Sequence, residues 1–335
     1  MSLPEPRANP LLVGHPAAEA VLLAAARSGR MHHAWLLAGA SGIGKATLAF
    51  RFARWLLAGS PGTGLALDAA HPAFRRVAAG THADLLTVAL AYDEKRKRQR
   101  TEVVIDDARS IPDFLHLTPA EGGWRVVVLD DAEALNRNAA NAVLKVLEEP
   151  PSRAVLLLVC AAPGRLPATI RSRCRRLALS PLNDPDMQGL LARALPDLDP
   201  AGLRRLAGMA EGAPGRALML AEEEGIALAD LVDKVFSALP EIGIARAHAV
   251  ADTIGRGDAA FSTFMDLLRS ALAGAVRRAA RGEADAAAAR LAGLRPLAAW
   301  ADVWHALGRL QDETERLYLD KRQAVVTGLS LLSGR

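Results

Sequence analysis

The sequence predicts an α/β fold, in which a parallel sheet with helices on both faces is followed by an all-helical remainder. Over the first half of the chain, short apolar runs rich in branched residues alternate with helical patterns, as strands and helices do in such a sheet. After Leu179 the strand signal disappears, and apolar residues recur only at helical spacing. We therefore expect an α/β domain over residues 1–179, a small helical domain over 180–226 and a helical C-terminal domain over 227–335.

The composition is that of an ordinary folded protein. Hydrophobic residues make up 51% of the 335 residues and charged residues 23%, which excludes a disordered chain. Two cysteines, Cys160 and Cys174, are too few for a disulfide framework and suit a reducing compartment. Residues 1–10 lack the apolar centre of a signal peptide, and the longest apolar run, Ala154–Ala162, is too short to span a bilayer. We expect a cytoplasmic protein, and the net charge of +4 permits a nucleic-acid partner without requiring one.

Strands and helices alternate through the first domain, and each has a local signal. Branched residues predict a buried strand over Trp124–Asp131, proline ends the helix that follows it, and three later short helices start near prolines. In chain order the predicted elements are a helix within Pro10–Arg27, a strand over Ala34–Ala38, a helix from Lys45, a strand over Leu85–Leu90, a helix over Asp106–Leu117, the strand Trp124–Asp131, a helix over Asn138–Leu147, a strand over Val155–Cys160, and helices over Pro185–Ala194, Pro200–Ala207 and Pro214–Glu223.

A glycine-rich turn between the first strand and the next helix is typical of a phosphate-binding P-loop. Glycines let backbone N–H groups converge on an anion, the helix N terminus adds partial positive charge, and a lysine reaches the β- and γ-phosphates. The residues predicted to contact a nucleotide are Gly39, Ser41, Gly42, Ile43, Gly44, Lys45, Ala46 and Thr47. The alternative is a loop that no longer binds nucleotide and serves only to join strand and helix.

Ala46 departs from the P-loop pattern. The residue after the lysine is normally Ser or Thr, whose hydroxyl ligates Mg²⁺, and alanine lacks that oxygen. Thr47 is no substitute, because one step along a helix turns a side chain by about 100°. We therefore expect phosphate binding with poor metal-assisted hydrolysis. ATP is the predicted cofactor, and Mg²⁺ has less support.

Two acids, Asp130 and Asp131, end the buried strand that begins at Trp124. Asp130 stands where a Walker B acid holds Mg²⁺, directly or through water. Asp131 stands where hydrolytic P-loop proteins usually carry a glutamate, and aspartate is one methylene shorter at a position where about 1 Å matters. Together with Ala46, this residue predicts nucleotide binding with slow or absent turnover. A solvated strand end that opens a turn is the alternative.

Further segments resemble the bacterial clamp-loader AAA+ family. The most specific are Asn141–Pro151, which ends in Glu-Glu-Pro-Pro, and Leu166–Cys174, which ends in Ser-Arg-Cys; His32–Leu37 before the P-loop also matches. The segments that are closer to the delta-prime group of this family than to its motor subunits are Leu117–Val127, Gly212–Leu218 and Leu319–Gln323. The similarity covers nearly the whole chain.

The resemblance implies an AAA+ nucleotide-binding domain, a helical lid domain and a helical collar domain that joins subunits into a ring. It implies a subunit of the DNA polymerase III clamp loader, which places a sliding clamp on primed DNA. The implied partners are the motor and delta subunits, the clamp and the DNA. Arg173 would be an arginine finger acting in trans on a neighbour's ATP, and Arg216 would sense the chain's own nucleotide. For both arginines, an ordinary surface position stays open.

The chain departs from its relatives at two further places. Most members of the family carry four cysteines between the P-loop helix and the next strand, whereas residues 66–81 contain none, so we expect no zinc. Motor subunits place a threonine at the end of the strand Val155–Cys160, where this chain continues with Ala161. The basic run Lys95–Arg100 is either a contact for the DNA backbone or a solvated loop.

The expected function is that of a clamp-loader subunit that lends Arg173 to a neighbouring ATPase and hydrolyses little or no ATP itself. A self-sufficient AAA+ ATPase acting on DNA is a second hypothesis, and a structural collar protein that binds no nucleotide is a third. The chain offers no polymerase or nuclease site, so any polymerase activity would belong to the assembly.

Overall fold

The computed structural model describes residues 4–90, 92–93, 98–100, 102–121, 123–255, 258–283 and 285–333. The chain divides into two units, of which the first is Met1–Leu203 with Ala210–Arg216 and the second is Arg204–Met209 with Ala217–Arg335. Within the described ranges, no helix combines the length and the apolar character that crossing a membrane requires. The division into three domains at residues 179 and 226 stays a prediction.

A five-stranded sheet forms the centre of the first unit. Its strands are β1 (Ala34–Ala38), β2 (Leu85–Val88), β5 (Arg125–Leu129), β6 (Ala154–Cys160) and β7 (Arg175–Ala178), while β3 (Tyr92–Asp93) and β4 (Arg98–Gln99) form a separate antiparallel pair. The order across the sheet is β2-β5-β6-β1-β7, and every pairing in it is parallel. The predicted fold class, an α/β domain with a parallel sheet followed by helices, is therefore confirmed.

Fifteen helices occur in the described part of the chain. They are α1 (Pro16–Arg27), α2 (Lys45–Leu57), α3 (Pro72–Ala78), α4 (Ile105–His116), α5 (Arg137–Glu148), α6 (Ala168–Arg171), α7 (Asp184–Ala194), α8 (Pro200–Ala210), α9 (Pro214–Glu222), α10 (Gly225–Ala238), α11 (Ile244–Ile254), α12 (Asp258–Ala280), α13 (Ala286–Leu294), α14 (Ala299–Leu317) and α15 (Lys321–Ser333). Each of α7, α8 and α9 has proline in its first turn, where the missing N–H costs nothing.

The core lies on both faces of the sheet. Every residue of β1, β5 and β6 is buried, which explains their continuous apolar sequences. On one face, Val127 and Leu156 pack with Ile111 of α4 and Val143 of α5. Helix α2 contacts β5 and β6 as well. This packing fixes the strand ends from which the candidate site is built.

The strand β7 was not predicted from the sequence. Three of its four residues are exposed, and only Leu177 is buried, so it contains no apolar run to read. Its partner is β1, with Arg175 opposite Trp35, and the Arg175 guanidinium lies 4.8 Å from the centre of the Trp35 ring. This segment is therefore a strand because it pairs with β1, and its own sequence does not predict one.

A buried ion pair joins the loop before β2 to the first residue of β5. The Asp84 carboxylate lies 3.5 Å from an Arg125 nitrogen, and their side chains are 1% and 7% exposed. Asp84 also accepts the N–H groups of Ala120 and Glu121. Arg125 donates to the carbonyls of Phe114 and Thr118. The pair thus fastens the segment between α4 and β5 to the start of β2.

In the second unit, apolar residues at helical spacing face the interior. Phe261, Met265, Leu268 and Leu272 of α12 are all buried. On α14, Trp300 and Leu307 are buried, whereas Trp304 is half-buried beneath the Arg269 guanidinium, 4.2 Å from the ring centre. Trp300 therefore serves the core of this unit. A role of these helices in joining subunits stays a prediction.

Candidate functional site

The glycine-rich turn joins β1 to α2 as predicted. Gly42 and Gly44 have φ angles of 73° and 107°, a conformation that residues with a side chain rarely adopt. A Cβ atom at position 42 would lie 2.6 Å from the backbone nitrogen of Arg216. Gly44 is the N-cap of α2 and offers no side-chain cap, so the first N–H groups of the helix face the turn. These features fit a bound phosphate.

Lys45 lies inside this turn. Its Nζ atom donates to the carbonyls of Gly39 (2.9 Å) and Ala40 (2.8 Å), and the residue is 6% exposed. Burial lowers the pKa of Lys45, while the nearby carboxylates of Glu133, Asp130 and Asp131 oppose this shift. A phosphate would have to draw the ammonium group away from these two carbonyls.

The two predicted acids follow β5 directly. The Asp130 N–H donates to the carbonyl of Val88 (2.8 Å), and its own Oδ1 accepts the N–H of Asp131 (3.1 Å). Desolvation, followed by repulsion from Asp131, raises the pKa of Asp130 to about 6. Desolvation and Glu133 raise the pKa of Asp131. Both acids therefore lie near Lys45, but Ala46 supplies no oxygen for a metal ion shared with them.

Glu133 is a residue of this site that the sequence did not reveal. Its Oε1 accepts the N–H groups of Ala161 (2.8 Å) and Ala162 (3.2 Å), directly after β6. Its Oε2 is buried, and no hydrogen bond reaches it from the described residues. Desolvation and Glu133 raise the pKa of the Cys160 thiol to about 12. A carboxylate of this chain thus holds the end of β6. In the sequence, its position two residues after Asp131 was the only sign of this contact.

Arg216 adjoins the glycine-rich turn, as its predicted role requires. The N–H of Gly215 donates to the carbonyl of Gly42 at 2.8 Å, and Arg216 is half-buried. Both residues belong to the part of the first unit that spans Ala210–Arg216. The contact lies between backbones, so a contact of the Arg216 guanidinium with phosphate stays a prediction.

Arg173 lies at the opposite end of the strands. It precedes β7, whereas the glycine-rich turn follows β1, and the two strands run parallel with Trp35 opposite Arg175 and Ala38 opposite Ala178. Four strand residues span about 13 Å, so Arg173 is remote from its own chain's P-loop. Its side chain is 37% exposed and contacts Glu148 at 2.9 Å. It also donates to the carbonyl of Thr169 at 3.0 Å.

The basic run and the two cysteines are the remaining features singled out in the sequence. Lys95–Lys97, in the basic run, lie outside the described residues, and Arg100 is exposed. Within the described ranges, no group of three or more His, Cys, Asp or Glu side chains could hold a metal ion. Cys160 is buried and Cys174 is half-buried.

The comparisons with known proteins agree with this geometry. The family model described as "DNA polymerase III, delta subunit" matches residues 14–183, which contain the P-loop, both acids and Arg173. The chain belongs to this family. The chain is 41% identical over 182 residues to DNA polymerase III subunit delta' of Pseudomonas aeruginosa, covering 54% of this chain and 53% of that protein. It therefore spans about half the length of this relative.

Two further relatives are also DNA polymerase III subunits. DNA polymerase III subunit delta' of Escherichia coli is 35% identical over 199 residues, or 59% of this chain and 57% of that protein. DNA polymerase III subunit tau of Escherichia coli is 33% identical over 199 residues, or 58% and 29%. Among solved structures, a DNA polymerase III gamma subunit-related protein of Thermotoga maritima has a TM-score of 0.46 at 18% identity, covering 94% of this chain and 99% of that one.

Proposed function

We propose that this chain is the delta-prime-type subunit of a DNA polymerase III clamp loader in the cytoplasm. It helps to place a sliding clamp on primed DNA, together with motor and delta subunits. In this proposal Arg173 acts in trans on the ATP of a neighbouring subunit, and the chain hydrolyses little or no ATP at its own P-loop. Family membership and the delta' relatives support this role.

The observation that carries the proposal is the placement of Arg173. The residue lies at the amino end of β7, while the P-loop lies beyond the carboxyl end of β1, so the guanidinium cannot serve its own chain's nucleotide. Its side chain is 37% exposed, and it is available to another protein. A guanidinium that meets a neighbour's γ-phosphate is worth about 10³–10⁵ in rate in other NTPases.

The chain's own site supports binding better than hydrolysis. The glycine-rich turn, the uncapped first turn of α2 and Lys45 suit a polyphosphate. Ala46 removes the hydroxyl that would ligate Mg²⁺ with the acids that follow β5. We therefore propose that Gly39, Ser41–Thr47, Asp130, Asp131 and Arg216 hold ATP with slow or absent turnover.

Reconstitution with the motor subunits tests the role of Arg173. The variant Arg173→Ala should assemble normally and slow clamp loading on primed DNA by about tenfold or more. Arg171→Ala is a matched control, because Arg171 is also exposed and lies two residues earlier. Equal loading by both variants would contradict the proposal.

Assays on the isolated chain distinguish the remaining alternatives. We expect saturable ATP binding and little phosphate release. Robust DNA-stimulated hydrolysis that Lys45→Ala abolishes would indicate a self-sufficient ATPase, whereas an absence of ATP binding would indicate a structural collar protein.

A further inference from the structure

Helix α5 ends with a glutamate whose charge does not stabilise the helix. Glu148 is its last residue, followed by Glu149 at the C-cap and by Pro150. The C-terminal end of a helix carries partial negative charge, so a carboxylate there is unfavourable unless a cation offsets it. The cation next to Glu148 is Arg173, whose Nη2 lies 2.9 Å from its Oε1.

The backbone of Arg173 is firmly anchored. Ile170, three residues earlier, is fully buried in the core below α5. The N–H of Arg173 donates to the Ile170 carbonyl at 3.1 Å. The base of the side chain is therefore fixed, and only its own torsions remain to be restricted.

Two contacts restrict those torsions. Nη1 donates to the Thr169 carbonyl at 3.0 Å, while Nη2 contacts the carboxylate of Glu148. A guanidinium has five N–H groups in a rigid fork, so three of them remain to donate to an acceptor from outside the chain. The side chains of Arg173 and Glu148 are 37% and 53% exposed, and such exposed pairs contribute little to stability.

We propose that Glu148 is a positioning residue for Arg173. It holds the guanidinium in one orientation, with spare donors facing outward, before a neighbouring subunit's triphosphate arrives. Ordering a long side chain in advance removes an entropic cost from the reaction that uses it. This inference rests on the proposed role of Arg173 in trans. It gives a part in that role to Glu148, which the proposed function does not include.

The experiment compares four variants in the reconstituted clamp loader, measuring the rate of loading on primed DNA against ATP concentration. Glu148→Ala should lower kcat by about three- to fivefold at unchanged KM, because only the orientation of the guanidinium is lost and an exposed pair contributes about 1 kcal/mol at most, which is about fivefold in rate. Glu148→Gln should stay within about twofold of the parent, since the amide keeps an acceptor oxygen at the position of Oε1, 2.9 Å from Nη2. Glu149→Ala is the matched control and should load normally, and Arg173→Ala reports on the proposed function itself. Unfolding of each isolated variant in urea checks that the fold is intact.

The outcomes separate the two proposals. If Arg173→Ala slows loading and Glu148→Ala does not, the positioning role is wrong and the arginine finger stands. If Arg173→Ala loads normally, the proposed function itself is wrong. Faster loading by Glu148→Ala, or equal losses in Glu148→Ala and Glu148→Gln, would also overturn the positioning role, because the pair would then act as a restraint or through charge alone.

Discussion

Two arginine–carboxylate pairs of the first unit differ in burial, and that difference indicates what each does. Arg125 and Asp84 lie 3.5 Å apart with 7% and 1% of their side chains exposed. Arg173 and Glu148 are closer, at 2.9 Å, yet 37% and 53% exposed. Water can replace either partner of the second pair but not of the first. The buried pair therefore holds the fold together, whereas the exposed pair leaves its cation accessible from outside the chain.

Breaking the buried pair should have the largest effect on stability. Asp84→Ala leaves the Arg125 charge without its carboxylate and frees the N–H groups of Ala120 and Glu121. We expect the free energy of unfolding to fall by about 3–5 kcal/mol. Urea unfolding monitored by circular dichroism measures it. A loss below about 1 kcal/mol would mean that water reaches the site and that the two pairs are alike.

Asp130 tests the effect of burial on a charged group, because desolvation is the largest cause of its raised pKa. Its pKa is about 6 in the folded chain against 3.8 ordinarily, so the folded state binds the proton more tightly than the unfolded state does. The stability that the neutral carboxyl contributes is complete below pH 4 and lost as the pH rises through 6.

The variant Asp130→Asn cannot ionise at this position. It should therefore be more stable than the parent at pH 7 by up to about 3 kcal/mol, and the gain should vanish near pH 4. Urea unfolding of both proteins at the two pH values, without nucleotide or Mg²⁺, provides the test. A gain of equal size at both pH values would show that desolvation of the charge is not its cause.

The exposed pair should have the smallest effect on stability. Arg173→Ala and Glu148→Ala should each lower the free energy of unfolding by less than about 1 kcal/mol. Their coupling, measured with the double variant in a mutant cycle, should be about 0.6–1 kcal/mol, within the range of exposed pairs. A coupling of 2 kcal/mol or more, by the same scale, would place this pair with the buried one and remove the contrast.

The sequence predicted the features that depend on chain order. Buried parallel strands read as continuous apolar runs, so β1, β5 and β6 were found, and with them the P-loop and the acids that follow strand ends. Arg173 was identified because the segment Leu166–Cys174 resembles a segment of the clamp-loader family.

The features that the sequence did not predict depend on tertiary contacts. Glu133 is recognised only in the folded chain, because it accepts the N–H groups of Ala161 and Ala162, nearly thirty residues later in the sequence. Asp84 and Arg125 lie in different segments, and neither belongs to a periodic pattern. Strand β7 depends on hydrogen bonds to β1 and contains no apolar run of its own. All of these features depend on contacts between segments that are distant in the sequence, so no local pattern reveals them.

The arginines of β7 have a consequence for solubility. This strand is an edge of the sheet, and an open edge offers unpaired backbone groups to which another protein's strand could add, which starts aggregation. Arg175 and Arg176 are both exposed there. Positive charges on a short edge strand repel a second copy of the same edge, so Arg175 and Arg176 disfavour strand pairing between two copies of this chain.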